Sequence, residues 1–223
     1  MGEMAAGLAH ELNQPLAAAA NYLQSCIELT RNKPEQSSLM RALAGTASQI
    51  DRAGEIIRRM RNFVTRRKPH HSTAAINDLI RVVVNLVSGE LRANRITNRF
   101  ELSEGLPLIR CDRIQIEQVL LNLIRNGIEA MAAVTGRPRV LLIRTAEVAG
   151  GNIEVTVADT GCGLTAEIKE RLFEPFLSSK ADGMGIGLAI SRSIIEAHGG
   201  RLWIVTIPPP GCEIRFSLPA TGG

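Results

Sequence analysis

The chain has 223 residues, 45% hydrophobic and 22% charged, the make-up of a globular protein with room for one large core or two modest ones. Its apolar runs fall far short of the roughly 20 residues of a bilayer span, and it lacks a secretory leader pattern, so a cytoplasmic protein with no direct membrane span is expected. The net charge of +4 suggests an anionic partner, but six cations sit at one expected helix end (Arg58, Arg59, Arg61, Arg66, Arg67, Lys68) and aromatics at 3% are too few for base stacking, so no nucleic-acid partner is expected.

The first seventy residues show no strand-like alternation. Leu8, Leu12, Ala19 and Leu23 share one face of a helix running to about Thr30, which Asn32-Lys33-Pro34 ends because proline cannot continue it. A second helix follows, with Leu43, Ile50, Ile57 and Val64 seven apart and Ala47 and Gly54 between them, a heptad seam. A two-helix hairpin cannot bury both stripes alone; pairing two hairpins in a four-helix bundle does, so a homodimer is expected.

Arg66 to Ser72 reads as a linker, charged and proline-containing. Beyond it come a helix over about 76–93, strand-like segments near 97–102 and 107–110, and a helix from about Arg113 to Ala132. Two alternating runs, 140–146 and 153–158, read as adjacent antiparallel strands, followed by a helix around 186–198 and strands near 201–207 and 213–218. The fold expected is α+β: a helical hairpin, then an α/β sandwich with helices on one face of a mixed sheet. The domains expected are 1–68, a linker at 69–75, and 76–223.

Four segments carry chemistry. In Leu8-Ala9-His10-Glu11-Leu12-Asn13-Gln14-Pro15-Leu16, at about 100° per residue, His10 lies opposite the apolar stripe. Pro15 removes the hydrogen bond to the Glu11 carbonyl, so the helix bends beside His10. An imidazole is a competent nucleophile near neutral pH, and Glu11 is a candidate base for its second proton. Taken alone, a histidine of this kind is most often a surface residue. Farther on, Asn122, Asn126 and Glu129 line one face of a helix whose opposite face carries Val119, Leu120, Leu123 and Ile124. Aligned amides suit Mg²⁺, a hard cation that shares oxygen ligands with phosphates; a solvated face is an equal reading.

Asp159-Thr160-Gly161-Cys162-Gly163 follows a strand; its carboxylate can accept a hydrogen bond from the exocyclic amino group of adenine, although a plain tight turn fits as well. Gly183-Met184-Gly185-Ile186-Gly187-Leu188 opens into an apolar helix, where backbone N–H groups suit phosphate. The irregular stretch between Leu164 and Gly183, with Lys180, has the length of a lid. Cys26, Cys111, Cys162 and Cys212 show no C-x-x-C spacing, so four free thiols in a reducing compartment are expected.

In this order, the segments resemble the signature set of the sensor histidine kinases over nearly the whole chain. His10 to Leu16 resembles the H box, Asn122 to Ala130 the N box, and Asp159 to Leu164 the first glycine box. Phe173-Glu174-Pro175-Phe176 resembles the F box and Gly183 to Leu188 the second glycine box, with His198-Gly199-Gly200 and Phe216-Ser217-Leu218-Pro219 also fitting. The H-E-L-N-Q-P form and the Arg125-Asn126 pair are most similar to the FixL-like subgroup.

The resemblance implies a Bergerat-type ATP-binding fold, shared with gyrase, Hsp90 and MutL. It implies ATP and Mg²⁺ as cofactors, Asn126 as metal ligand, Asn122 near the phosphates, and Asp159 reading adenine. Arg125, Gly161, Gly163, Lys180, Gly183, Gly185, Gly187 and Leu188 complete the implied nucleotide site. His10 is then the nucleophile toward the γ-phosphorus, a response-regulator receiver domain the next acceptor, and an upstream sensor domain or protein the source of the signal. Gln14 stands where many relatives carry Thr or Asn to orient water for regulator dephosphorylation, and Cys212 follows Gly211 where a threonine is common. Two rival readings are a gyrase- or Hsp90-type ATPase and a silent dimeric scaffold. The histidine-bearing hairpin argues against the first, and Asn126, Asp159 and the glycines of the lid against the second.

Overall fold

The structure is a computed structural model that describes residues 14, 16–28, 38–50, 53, 70–174, 186–205 and 211–221. The chain divides into two compact units, Met1–Arg67 and Lys68–Gly223. Among the described residues no helix is long and apolar enough to cross a membrane.

In the first unit, helix α1 (16–28) and helix α2 (38–50) meet through small side chains. Ala19 and Cys26 on α1 are buried, as are Ala42 and Thr46 on α2. A Cβ on Gly45 would stand 2.9 Å from the Tyr22 ring, so glycine lets that ring lie on the α2 backbone. The larger apolar residues point elsewhere: Leu16, Leu23, Ile27, Leu43 and Ile50 are all between 44% and 55% exposed in the single chain. Of the expected stripes, Ala19 is buried within the hairpin, whereas Leu23, Leu43 and Ile50 remain uncovered.

The second unit runs β1 (His71–Ala74), α3 (Ile76–Leu86), α4 (Ser88–Ala93), β2 (Thr97–Leu102), β3 (Ile109–Asp112), α5 (Arg113–Ala132), β4 (Val140–Val148), β5 (Asn152–Asp159), α6 (Ala166–Arg171), α7 (Gly187–Ala197), β6 (Arg201–Val205) and β7 (Cys212–Pro219). Five strands form one mixed sheet in the order β2-β4-β5-β7-β6, with β2 parallel to β4 and every other pair antiparallel. Strict alternation decides the faces. Ile214, Phe216 and Leu218 of β7 enter the core with Leu141 and Ile143 of β4 and Ile153 and Val155 of β5. Burying a side chain the size of Phe216 is worth about 2–3 kcal/mol. The other face carries ion pairs, across strands between Arg144 and Glu101 at its β2 edge and between Arg215 and Glu154 farther along, where Arg215 also pairs with Glu213 of its own strand. Helices α3 and α5 supply the opposing layer through Leu79, Ile80, Val83, Leu120, Leu123 and Ile124.

Two local features depart from expectation. The helix read over 76–93 breaks at Val87, which has φ −93° and ψ 5°. Ser88 and Gly89 are weak helix formers, and the break lets both Val87 and Leu91 reach the core. The segment read as linker contains β1, which pairs antiparallel with β3, His71 opposite Asp112. A four-residue strand is too short for alternation to reveal it.

Candidate functional site

Helix α5 is the common wall of the candidate site. Asp112 caps its start, its Oδ1 accepting from the N–H groups of Ile114 and Gln115 at 3.1 and 3.3 Å. Ile116, Val119, Leu120, Leu123, Ile124 and Ile128 are buried, which turns Asn122, Asn126 and Glu129 toward the opposite face as their spacing predicts. The Asn126 carboxamide makes no hydrogen bond among the described residues.

The end of β5 meets the C-terminal half of this wall. A Cβ on Gly127 would lie 3.3 Å from Asp159 Cβ, so its glycine lets α5 approach the aspartate closely. Asp159 Oδ1 accepts from the Gly161 N–H at 2.7 Å. Gly163 takes a positive φ of +75° in this turn, whereas Gly161 is glycine for want of space. A Cβ there would stand 2.6 Å from Asp159 Oδ1 and 2.7 Å from Ala130 Cβ. The turn is pinned from outside as well: Cys162 N–H donates to Ala130 O at 3.2 Å, and Arg137 donates to Gly161 O at 2.7 Å. Cys212 pairs with Asp159 across β5 and β7. Burial pushes its thiol up to about 12, and the neighbouring Asp159 carboxylate adds to the effect.

The start of α7 closes the other end. Gly187 faces Asn122 so tightly that a Cβ would collide with the Asn122 amide oxygen, and Leu188 packs against the core. Ser191, one turn on and 2% exposed, accepts from Asn122 Nδ2 at 3.0 Å and donates to Gly187 O at 3.0 Å. Asn122, Asp159, Gly161 and Gly187 are thus gathered along one helix. Arg125 instead pairs with Glu90 of α4 at 2.7 Å, both side chains largely in solvent. Gln14 is helical and exposed. His10, Glu11, Lys180, Gly183 and Gly185 lie outside the described residues.

Sequence reasoning missed Ser191, Arg137 and Gly127. Each is meaningful only through a contact distant in sequence, and a serine inside an apolar helix gives no signal of its own. It also missed α6, whose N-cap Thr165 accepts from Ile168 N–H, inside the stretch read as irregular. No cluster of His, Cys, Asp or Glu able to hold a metal occurs among the described residues. On this face of α5 the oxygen donors are the amides of Asn122 and Asn126 and the Glu129 carboxylate, a set that fits a hard cation bound together with a phosphate.

Comparison with known proteins gives two family matches. Residues 1–69 match the His Kinase A (phospho-acceptor) domain, and residues 111–222 match the histidine kinase-, DNA gyrase B-, and HSP90-like ATPase. Sensor protein FixL of Bradyrhizobium diazoefficiens is 44% identical over 99% of this chain and 44% of its own length. Sensor protein TdiS of Thauera aromatica is 36% identical over 98% of this chain and 40% of its own. Among solved structures, histidine kinase ThkA in complex with response regulator protein TrrA is 28% identical with a TM-score of 0.78, covering 99% of this chain and 62% of that one. The chain therefore spans less than half the length of these two curated relatives.

Proposed function

The chain belongs to the histidine kinases, and from that premise we propose that it is the ATP-dependent transmitter of a two-component system, with His10 as the phosphoacceptor. The observation that carries this reading is the convergence on α5 of the Asn122–Asn126 stripe, Asp159 at the end of β5 and the glycine-led start of α7. We assign 1–68 to dimerisation and phosphotransfer, 69–75 to a connecting segment, and 76–223 to ATP binding.

In this reading Asp159, already oriented by the Gly161 N–H, accepts a hydrogen bond from the adenine amino group. Asn126 holds Mg²⁺ through its amide oxygen, and Asn122 lies beside it. The glycines of the second glycine box and Lys180 lie around the triphosphate, with Arg125 within reach of it once its exposed pair with Glu90 opens, which costs about 0–1 kcal/mol. When bound, Mg²⁺ supplies positive charge that offsets the charge of the phosphates. A ring nitrogen of His10 attacks the γ-phosphorus, the bond to the β-bridging oxygen breaks, ADP leaves, and Glu11 takes the proton from the other ring nitrogen. The phosphoryl group then passes to an aspartate of a response-regulator receiver domain. Gln14 sits one helical turn after His10, where its amide can orient water.

The exposed Leu16, Leu23, Leu43 and Ile50 support a homodimer that buries them. The length of the relatives supports an upstream sensor domain or protein. Four free thiols suit a cytoplasmic location. The test is incubation with γ-labelled ATP and Mg²⁺. Acid-labile, base-stable label on the wild type and none on His10→Ala is expected. Equal label on the variant moves the phosphoacceptor elsewhere.

A further inference from the structure

We propose that Ser191 is a positioning residue that fixes which end of the Asn122 carboxamide faces the nucleotide, so that Asn122 presents an oxygen acceptor to the metal ion or its water shell. The inference rests on the reading of this face of α5 as the nucleotide site, and deepens it.

An amide side chain has a donor end and an acceptor end of nearly the same shape, so its orientation must follow from its partners. The hydrogen bonds of the structure set that orientation. The Ser191 hydroxyl donates its single proton to Gly187 O, a carbonyl that can only accept, at 3.0 Å. Ser191 Oγ then has only lone pairs left for Asn122, which must answer with its N–H, at 3.0 Å. The polarity of a backbone carbonyl is thereby handed through one hydroxyl to Asn122, and the amide oxygen is turned against Gly187, where α7 begins. Any side chain at Gly187 would strike that oxygen, so Gly187 and Ser191 together form a seat for the amide. Ser191 is 2% exposed, so water does not compete for its hydroxyl.

The orientation decides what Asn122 recognises. A carbonyl oxygen repels phosphate oxygens, which are also acceptors, and attracts a cation or the hydrogens of its bound water. Asn122 therefore works on the metal side of the nucleotide with Asn126. Asn122 is the group that touches the ligand complex, and Ser191 acts only through it.

The test is calorimetric titration of the whole chain with a non-hydrolysable ATP analogue over a series of Mg²⁺ concentrations and in chelator. Loss of one such hydrogen bond is worth about tenfold. Ser191→Ala should need about tenfold more Mg²⁺ for half of the metal-dependent gain in affinity, with affinity in chelator unchanged. Ser191→Thr keeps the hydroxyl and Ser191→Val, its match in shape, does not. The threonine variant should resemble wild type and the valine variant Ser191→Ala, which keeps the comparison valid even if alanine impairs folding. On an Asn122→Ala background, removing the Ser191 hydroxyl should add nothing. Equal effects with and without Mg²⁺, equal behaviour of the threonine and valine variants, or additive losses with Asn122→Ala overturn the proposal while leaving the nucleotide site in place. Failure of the wild type to bind the analogue at any Mg²⁺ concentration overturns the site itself, and the proposal with it.

Discussion

The three thiols of the second unit show how position alone separates identical side chains. Cys162 is exposed at the turn after β5, whereas Cys111 is fully buried under α5 and Cys212 lies within the sheet beside Asp159. Burial pushes Cys111 to about 11 and Cys212 to about 12, from an ordinary thiol value of 9.0. A thiol-specific chromogenic reagent at pH 8 should therefore label Cys162 quickly, and Cys111 and Cys212 only after unfolding. Both thiols hold their protons to higher pH folded than unfolded, so their contribution is complete below about pH 9 and falls as the pH rises toward 11 and 12. Urea midpoints should decline over that window, and less steeply in Cys212→Ser, whose hydroxyl does not titrate there. An equal slope in the variant would assign the alkaline loss to other groups.

At the scale of elements, α5 and α7 are tied at both ends. Ser191 and Asn122 join them beside the site, and His198 joins the end of α7 to the start of α5. The Asp112 N–H donates to His198 Nε2 at 3.0 Å, so that nitrogen must carry a lone pair, and Nδ1–H donates to Ile194 O at 2.7 Å. The His71 ring lies 5.2 Å from the His198 ring, and Asp112 Oδ2 accepts from His70 N–H at 3.1 Å, so the entry strand β1 joins the same junction. Removing the imidazole leaves a buried N–H without an acceptor, at a cost of about 1–3 kcal/mol. His198→Ala should lower the urea midpoint accordingly, and His198→Gln, which can still accept, should recover part of it. Indistinguishable midpoints for the two variants would mean that packing, not the hydrogen bond, holds the junction.

At the scale of the whole molecule, the two units owe their stability to different sources. The second unit has a continuous core from α3 through the sheet. Among its described residues the hairpin buries alanines, a cysteine and a threonine and leaves Leu16, Leu23, Ile27, Leu43 and Ile50 about half exposed, so these residues give it little stability as a single chain. Light scattering should give twice the chain mass for the wild type. Ile50→Asp, which puts a charge into the proposed seam, should shift the mass toward one chain without changing the melting of the ATP-binding unit. A variant that remains dimeric would place the contact on another face of the hairpin.

The amino-acid sequence by itself determined the period-two strands β4, β5 and β7, the long helix α5 with its amide stripe, and the order of motifs that resembles the histidine kinases. These features depend on local periodicity and on residue types at fixed spacing, which need no partner to be read. What only the tertiary structure decided are contacts between distant residues. The break at Val87 depends on a core that accepts both Val87 and Leu91, and β1 exists because β3 offers it a neighbour forty residues away in sequence. At Gly161 and Gly187 the fold leaves no room for a side chain beside Asp159, Ala130 and Asn122, a constraint that spacing along the chain does not reveal. Ser191 carried no signal along the chain, because its role lies in handing the polarity of one carbonyl to an amide 69 residues away.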